Sequence, residues 1–323
     1  MTVEHTRAAA PKIDREDFVY LMYLLLPFRA FLFFGRMLGR IAMLLHPAKR
    51  RSVHANLQDA FGHEKTPAEI NRLTRLAFEF LHMRLVLVPV APLLLVSGKV
   101  AKYFPIEGIE ILDRALARGK GAVILGSHVN SLGLLLAAAE LRRRGYDIRI
   151  PVPSPHDVWA PTPFRRFVNG LHGAPLSISD AVGAFYAQFN VRPLVKLLNG
   201  GSALVLIGDG WHSSGFVDVE FLGRRLPFTN GPLSVAWAAD APVVPIFTVG
   251  TPDRLRFVIE EMYVLDRTRP ARDEVAQRVE QFIGRVEQRI LADKPSWQHW
   301  FEDDLFNSLE QWRSNSLRDR YKL

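Results

Sequence analysis

The chain contains no cysteine. Disulfides, a thiol nucleophile and any cysteine-ligated metal are therefore excluded. Several motifs are missing as well. There is no Gly-x-x-x-x-Gly-Lys, Gly-x-Gly-x-x-Gly, His-Glu-x-x-His or Gly-x-Ser-x-Gly. Nucleotide hydrolysis, dinucleotide binding and serine-elbow hydrolysis lose their support. The ten histidines show no metal-ligand spacing, so neither a metal nor a cofactor is expected. Repeats, low-complexity tracts and a linker are absent, which argues for one functional unit. Acidic residues Glu4, Asp14, Glu16 and Asp17 replace the basic leader of a secretory signal, and no small-residue cleavage site closes the apolar run that follows.

What the chain does have is apolar and basic. Hydrophobic residues make up 48%, and the mean hydropathy of +0.04 suits membrane association better than a freely soluble protein. The formal net charge is +8, with clusters at Lys49-Arg50-Arg51, Arg142-Arg143-Arg144, Arg165-Arg166 and Arg224-Arg225. These clusters are short, scattered and without aromatic RNA-binding signatures. An anionic membrane surface is the expected partner, not nucleic acid.

Residues 1–100 read as a helical, membrane-associating region. From Phe18 to Leu45, Phe, Leu, Met and Tyr are interrupted by Pro27, Arg29, Arg36 and Arg40. The longest run there without a charge, Phe18 to Phe28, is shorter than the roughly 20 residues a spanning helix needs. An amphipathic helix in the headgroup region with snorkelling arginines fits, and a single kinked span stays open. Thr66-Pro67-Ala68-Glu69 is a capped helix start, opening a helix to about Val88. Leu85 to Val96, broken by two prolines, is a second candidate lipid-touching surface.

Residues 101–323 read as an α/β domain, a mixed central sheet flanked by helices. Buried strands are expected at Ala122 to Leu125, Asp147 to Pro153, Ala203 to Ile207 and Ala241 to Thr248. Flanking strands are expected at Phe104 to Gly108, Phe216 to Phe221 and Arg254 to Val264. Ser154 to Gly173, with Trp159, reads as loop and helix. The stretch Gly121-Ala-Val-Ile-Leu-Gly-Ser-His128 is a strand ending on small residues and a histidine, and a helix follows from Leu132. The carboxyl ends of strands are where α/β sheets place ligands. His128, Arg149, Asp209 and the Thr229-Asn230-Gly231 turn are all expected there, lining one cleft. His128 would deprotonate a hydroxyl, Arg149 would hold a phosphate, and Asp209 would orient the histidine or bind an acceptor hydroxyl.

His128 and the residues after it resemble the His-x4-Asp/Glu motif of the lysophospholipid acyltransferase superfamily, with Gly133 in the acidic position. Further blocks resemble, in order, the bacterial lipid A biosynthesis acyltransferase family: Arg50-Arg51 with Asn56-Leu57 and Ala60-Phe61; Leu197-Leu198-Asn199-Gly200-Gly201 through Gly208-Asp209; Val219-Glu220-Phe221-Leu222-Gly223; Thr229 with Gly231-Pro232; Ala241-Pro242-Val243-Val244-Pro245; and Pro295 with Trp297 and Trp300.

The resemblance implies transfer of a fatty acyl group from acyl carrier protein or acyl-CoA to a hydroxyl of a membrane lipid such as a lipid A precursor. It places this activity at the cytoplasmic face of a bacterial inner membrane, with the protein peripheral or single-span. His128 would be the base. Gly133 leaves three readings: Asp209 substitutes as the acid, the histidine acts alone, or the chain is a non-catalytic lipid-binding scaffold of the same fold.

Overall fold

The computed structural model describes residues 15–152, 161–187, 190–210, 215–251 and 253–314. Trp159 lies outside them. The first hundred residues form α1 (Arg15–Leu25), α2 (Phe28–Leu45), α3 (Pro47–Phe61), α4 (Pro67–Leu85), α5 (Leu87–Val96) and α6 (Lys99–Tyr103). Pro27 separates α1 from α2, because its ring cannot continue the preceding helix. Thr66 and Glu69 close a reciprocal capping box at the start of α4.

The remaining elements alternate strand and helix: β1 (Ile106–Glu107), α7 (Ile109–Leu116), β2 (Ala122–Gly126), α8 (Ser131–Arg143), β3 (Ile148–Val152), α9 (Pro163–Leu171), α10 (Ile178–Val182), β4 (Ala184–Tyr186), α11 (Val191–Asn199) and β5 (Ala203–Ile207). A hairpin of β6 (Phe216–Phe221) and β7 (Arg224–Thr229) follows, then α12 (Gly231–Ala239), β8 (Val243–Val249), β9 (Arg256–Ile259), α13 (Ala271–Ala292) and α14 (Leu305–Ser314).

The central sheet has seven strands in the order β1-β9-β8-β2-β5-β3-β4, with only the β8–β9 pairing antiparallel. The fold is thus the expected mixed sheet with helices on both faces. Alternate residues of a strand point to opposite faces, and the core divides accordingly. Ala122 and Ile124 of β2 join one apolar cluster, with α5 and α8. Val123 and Leu125 join the other, with α3, α12 and α13. Helix α4 contributes Ile70, Ala77 and Phe78 to the second cluster and Met83 to the first, so it bridges the two layers.

Two expectations for the N-terminal helices are corrected. Arg36 and Arg40, though partly exposed, are tied to an acid of the neighbouring helix instead of being free to snorkel. They lie 3.5 and 2.7 Å from Glu79, which is 2% exposed, and Arg75 approaches the same carboxylate at 3.6 Å. A carboxylate taken out of water needs such counter-charges. The apolar segment from residue 85 to 96 is mainly core: Leu87, Val90, Ala91, Leu93, Leu94 and Leu95 are buried, leaving Leu85 and Val96 at the surface. Among the described residues no single helix is long and apolar enough to cross a membrane; α4 and α5 reach that length only as a pair bent by 48°.

Candidate active site

Strand β2 is buried at every position. It lies between β8 and β5, so it can supply side chains only where it leaves the sheet. Gly126 is in register with Ile207 of the parallel β5, and Gly208 N–H donates to the Gly126 carbonyl at 2.9 Å. Two residues further along each strand stand His128 and Asp209. This equal offset brings side chains 81 residues apart in sequence into contact. Gly208 permits the close approach: a Cβ there would sit 2.6 Å from Phe282 and 2.9 Å from Leu125.

His128 Nδ1 donates to Asp209 Oδ1 at 2.8 Å. The His128 backbone N–H is 2.9 Å from both carboxylate oxygens. Trp297 Nε1 donates to Oδ2 at 2.9 Å. Burial pushes the Asp209 carboxyl up, but the neighbouring His128, His299 and the Trp297 hydrogen bond outweigh it and hold Asp209 below the usual carboxylate range. A buried, ionised Asp209 fixes the proton on Nδ1 and leaves the Nε2 lone pair available. The His128 side chain is 26% exposed and Asp209 wholly enclosed, so the imidazole can be reached from outside while the carboxylate behind it cannot.

His299 packs on this pair. Its ring centroid is 4.0 Å from that of His128, at an interplanar angle of 52°. Burial, followed by the proximity of His128, pushes the His299 imidazole down to about 4, so it is neutral at neutral pH. His128, Asp209 and His299 offer donor atoms within 4.8 Å of one another. Two imidazoles and a carboxylate suit a zinc-class ion, but both Asp209 oxygens already accept hydrogen bonds, and a metal would have to displace the histidine from its acid.

Position 133 could not have supplied that acid without repacking. A Cβ on Gly133 would lie 2.6 Å from Thr248 Cγ2 and 3.3 Å from the Phe257 ring. It is aimed at β8 and β9, where a carboxylate has no room.

Of the other expected site residues, the 229–231 turn adjoins the dyad. Thr229 N–H donates to the Gly210 carbonyl at 3.1 Å, and Gly231 N–H donates to Thr229 Oγ1 at 3.1 Å. The Asn230 carboxamide packs against Gly215. Arg149 is not brought to the cleft, which corrects the expectation for it. It is the second residue of β3, in register with Leu204 near the start of β5, and its Nε pairs with Asp147 at 2.8 Å. The chain passes Arg149 well before it reaches the carboxyl edge. Trp297 and His299 are the site residues that sequence reasoning missed; only the Trp-rich block pointed towards them.

At the same edge of the sheet, a groove of about 530 Å³ lies between α2, α4, α6 and the loop before β9. Phe28, Leu32, Met83 and Leu255 give it an apolar floor, while Arg29, Lys102 and Arg254 stand on its rim together with the single acid Asp253. None of these three cations has an acidic partner among the described residues.

No curated protein matches the chain. The family comparison matches residues 17–146, which run from α1 through α8 and include His128. The model matched over that part of the chain is that of the bacterial lipid A biosynthesis acyltransferase family, which this part of the chain resembles.

Proposed function

We propose that the protein moves a fatty acyl group from a thioester donor, acyl carrier protein or acyl-CoA, to a hydroxyl of a membrane lipid such as a lipid A precursor. The observation that carries this reading is the 2.8 Å hydrogen bond from His128 Nδ1 to the buried Asp209. Nε2 takes the proton of the acceptor hydroxyl as its oxygen bonds to the thioester carbonyl carbon. The tetrahedral adduct collapses, the carbon–sulfur bond breaks, and the imidazolium returns the proton to the leaving thiolate. Asp209 stabilises the imidazolium throughout.

The apolar groove with its cationic rim supports an amphiphilic acceptor carrying negative charge. Work at the cytoplasmic face of a bacterial inner membrane fits the outward apolar side chains Leu25, Phe33, Ile41, Leu44 and Leu45 beside exposed Arg29.

The test is transfer by purified protein from each donor to lipid acceptors. His128→Ala and Asp209→Asn should each lower kcat by about 10³-fold or more, on the precedent of oriented histidine bases. Undiminished transfer in both variants would overturn the dyad. Lipid binding without turnover in the wild type would instead identify a scaffold of the same fold.

A further inference from the structure

The loop that carries His128 is held from one side by the C-terminal segment. Asn130 N–H donates to the Ser296 carbonyl at 3.0 Å, and Gln298 N–H donates to the His128 carbonyl at 3.1 Å. Val129 and Trp297 form an isolated antiparallel bridge. This bridge and its two flanking hydrogen bonds place Trp297 on Asp209 and His299 on His128. A third element reaches both of them. Arg84, at the end of α4, donates from one guanidinium nitrogen to Asn130 Oδ1 and also to the Ser296 carbonyl, the latter at 3.1 Å.

Arg84 is 1% exposed. Its Nε has no hydrogen-bond partner among the described residues. Burial pushes its pKa down to about 10, which still leaves it charged at neutral pH. Asn130, itself 1% exposed, takes a left-handed backbone with φ of 51°, a conformation that asparagine tolerates better than most residues. The partly buried Asp293 carboxyl is its nearby opposite charge, and an ion pair built on a buried guanidinium is often no better a stabiliser than well-packed apolar side chains in place of both partners. The role its position does suit is fixing geometry.

We infer, on the footing of the acyl-transfer reading above, that Arg84 is a positioning residue: by bridging Asn130 and Ser296 it sets the His128 loop against the Trp297 segment and so holds the dyad in its working geometry.

The experiment compares wild type, Arg84→Met, Arg84→Lys and Asn130→Gly. Glycine accepts the left-handed backbone while removing the bridging carboxamide. Three quantities are measured: thermal stability, kcat and KM separately, and the low-field proton NMR resonance of the His128 Nδ1–H. Arg84→Met leaves the Asn130 carboxamide oxygen and the Asp293 carboxyl without their cation and so lowers thermal stability; assayed where it remains folded, it is expected to lose about 100-fold in kcat and change KM little, since a 1 Å misplacement has an effect of that order. Its low-field resonance should shift or broaden. Arg84→Lys should recover part of the rate, and added guanidinium ion should partly restore Arg84→Met. Asn130→Gly should reproduce the kcat loss.

A wild-type kcat and an unmoved resonance in Arg84→Met would overturn the inference. So would a rate loss that merely follows lost stability while Asn130→Gly stays fully active. Should Arg84→Met fail to fold, Asn130→Gly decides by the same criteria. A wild type without turnover, whose resonance nonetheless shifts in these variants, would sink the acyl-transfer reading and leave the positioning role standing.

Discussion

Trp297 donates its indole hydrogen to the carboxylate that holds His128, so in the proposed reaction it would act on the histidine through Asp209. Removing a hydrogen bond to a charged group costs about 1.5–3 kcal/mol. Trp297→Phe should therefore lower kcat roughly 10- to 100-fold with KM little changed, read by steady-state transfer. His299 carries a different signature. Its folded pKa of about 4 lies below the ordinary histidine value, so the stability it contributes is complete above pH 6.5 and is lost as pH falls towards 4. That loss is on the order of 3 kcal/mol. Urea unfolding between pH 8 and pH 4.5 should show a shallower acid decline in His299→Phe than in wild type; parallel curves would remove the titration of His299 as a source of that decline. Gly133→Glu should restore the family's acidic motif on paper yet destabilise the fold by about 1–3 kcal/mol through overpacking against Thr248 and Phe257, with no gain in rate. His128 and Asp209 were legible because each follows a short apolar strand ended by glycine, a pattern that fixes where the chain leaves the sheet. Arg149 was misread because a strand's polarity does not say how far along it a residue lies. Trp297 and His299 were illegible because their partners lie 88 and 171 positions away in sequence.

The seat of α2 on α4 shows what hydropathy patterning conceals. Arg36 and Arg40 sit in an apolar stretch that reads as lipid-facing, and the structure turns both on Glu79. The acid lies in another helix, so no pattern within α2 announces it. Gly39 allows the approach: a Cβ there would stand 2.6 Å from the Phe78 carbonyl oxygen. Gly39→Leu should separate the helices and lower thermal stability by about 1–3 kcal/mol, whereas the exposed Phe33→Ser should lie within about 0.5 kcal/mol of wild type. Calorimetry on the two variants distinguishes a packed helix pair from one that owes its position to lipid. Strand β4 escaped the reading of the sequence for a related reason. Three residues at the edge of a sheet are too few to show a period.

Across the whole molecule, the outward apolar side chains of α2 and the cationic rim of the groove lie on neighbouring surfaces. Protein should sediment with vesicles containing anionic phospholipid, and a Phe33→Glu, Leu44→Glu double variant should lose most of that binding while keeping its thermal transition. Sedimentation of the double variant equal to wild type would discard α2 as the membrane contact. The alternation of strand and helix made the α/β class readable over the second part of the chain, but it could not show that the N-terminal helices share a core with the sheet. That core gathers Tyr20 and Phe31 with Ile124 and Ile246 into one cluster, joining stretches of chain too far apart for any local period to encode.

The equal offset of His128 and Asp209 beyond adjacent parallel strands also has a consequence in time. The acid emerges from the ribosome 81 residues after the base, and the tryptophan that steadies it 88 residues later again. A nascent chain that has exposed only His128 presents an unoriented imidazole on an unfinished sheet. Under the proposed acyl transfer, competence to abstract a proton would arrive only after both sides of β2 have paired and the tryptophan-bearing segment has docked, so translation itself would delay the chemistry until the core is closed.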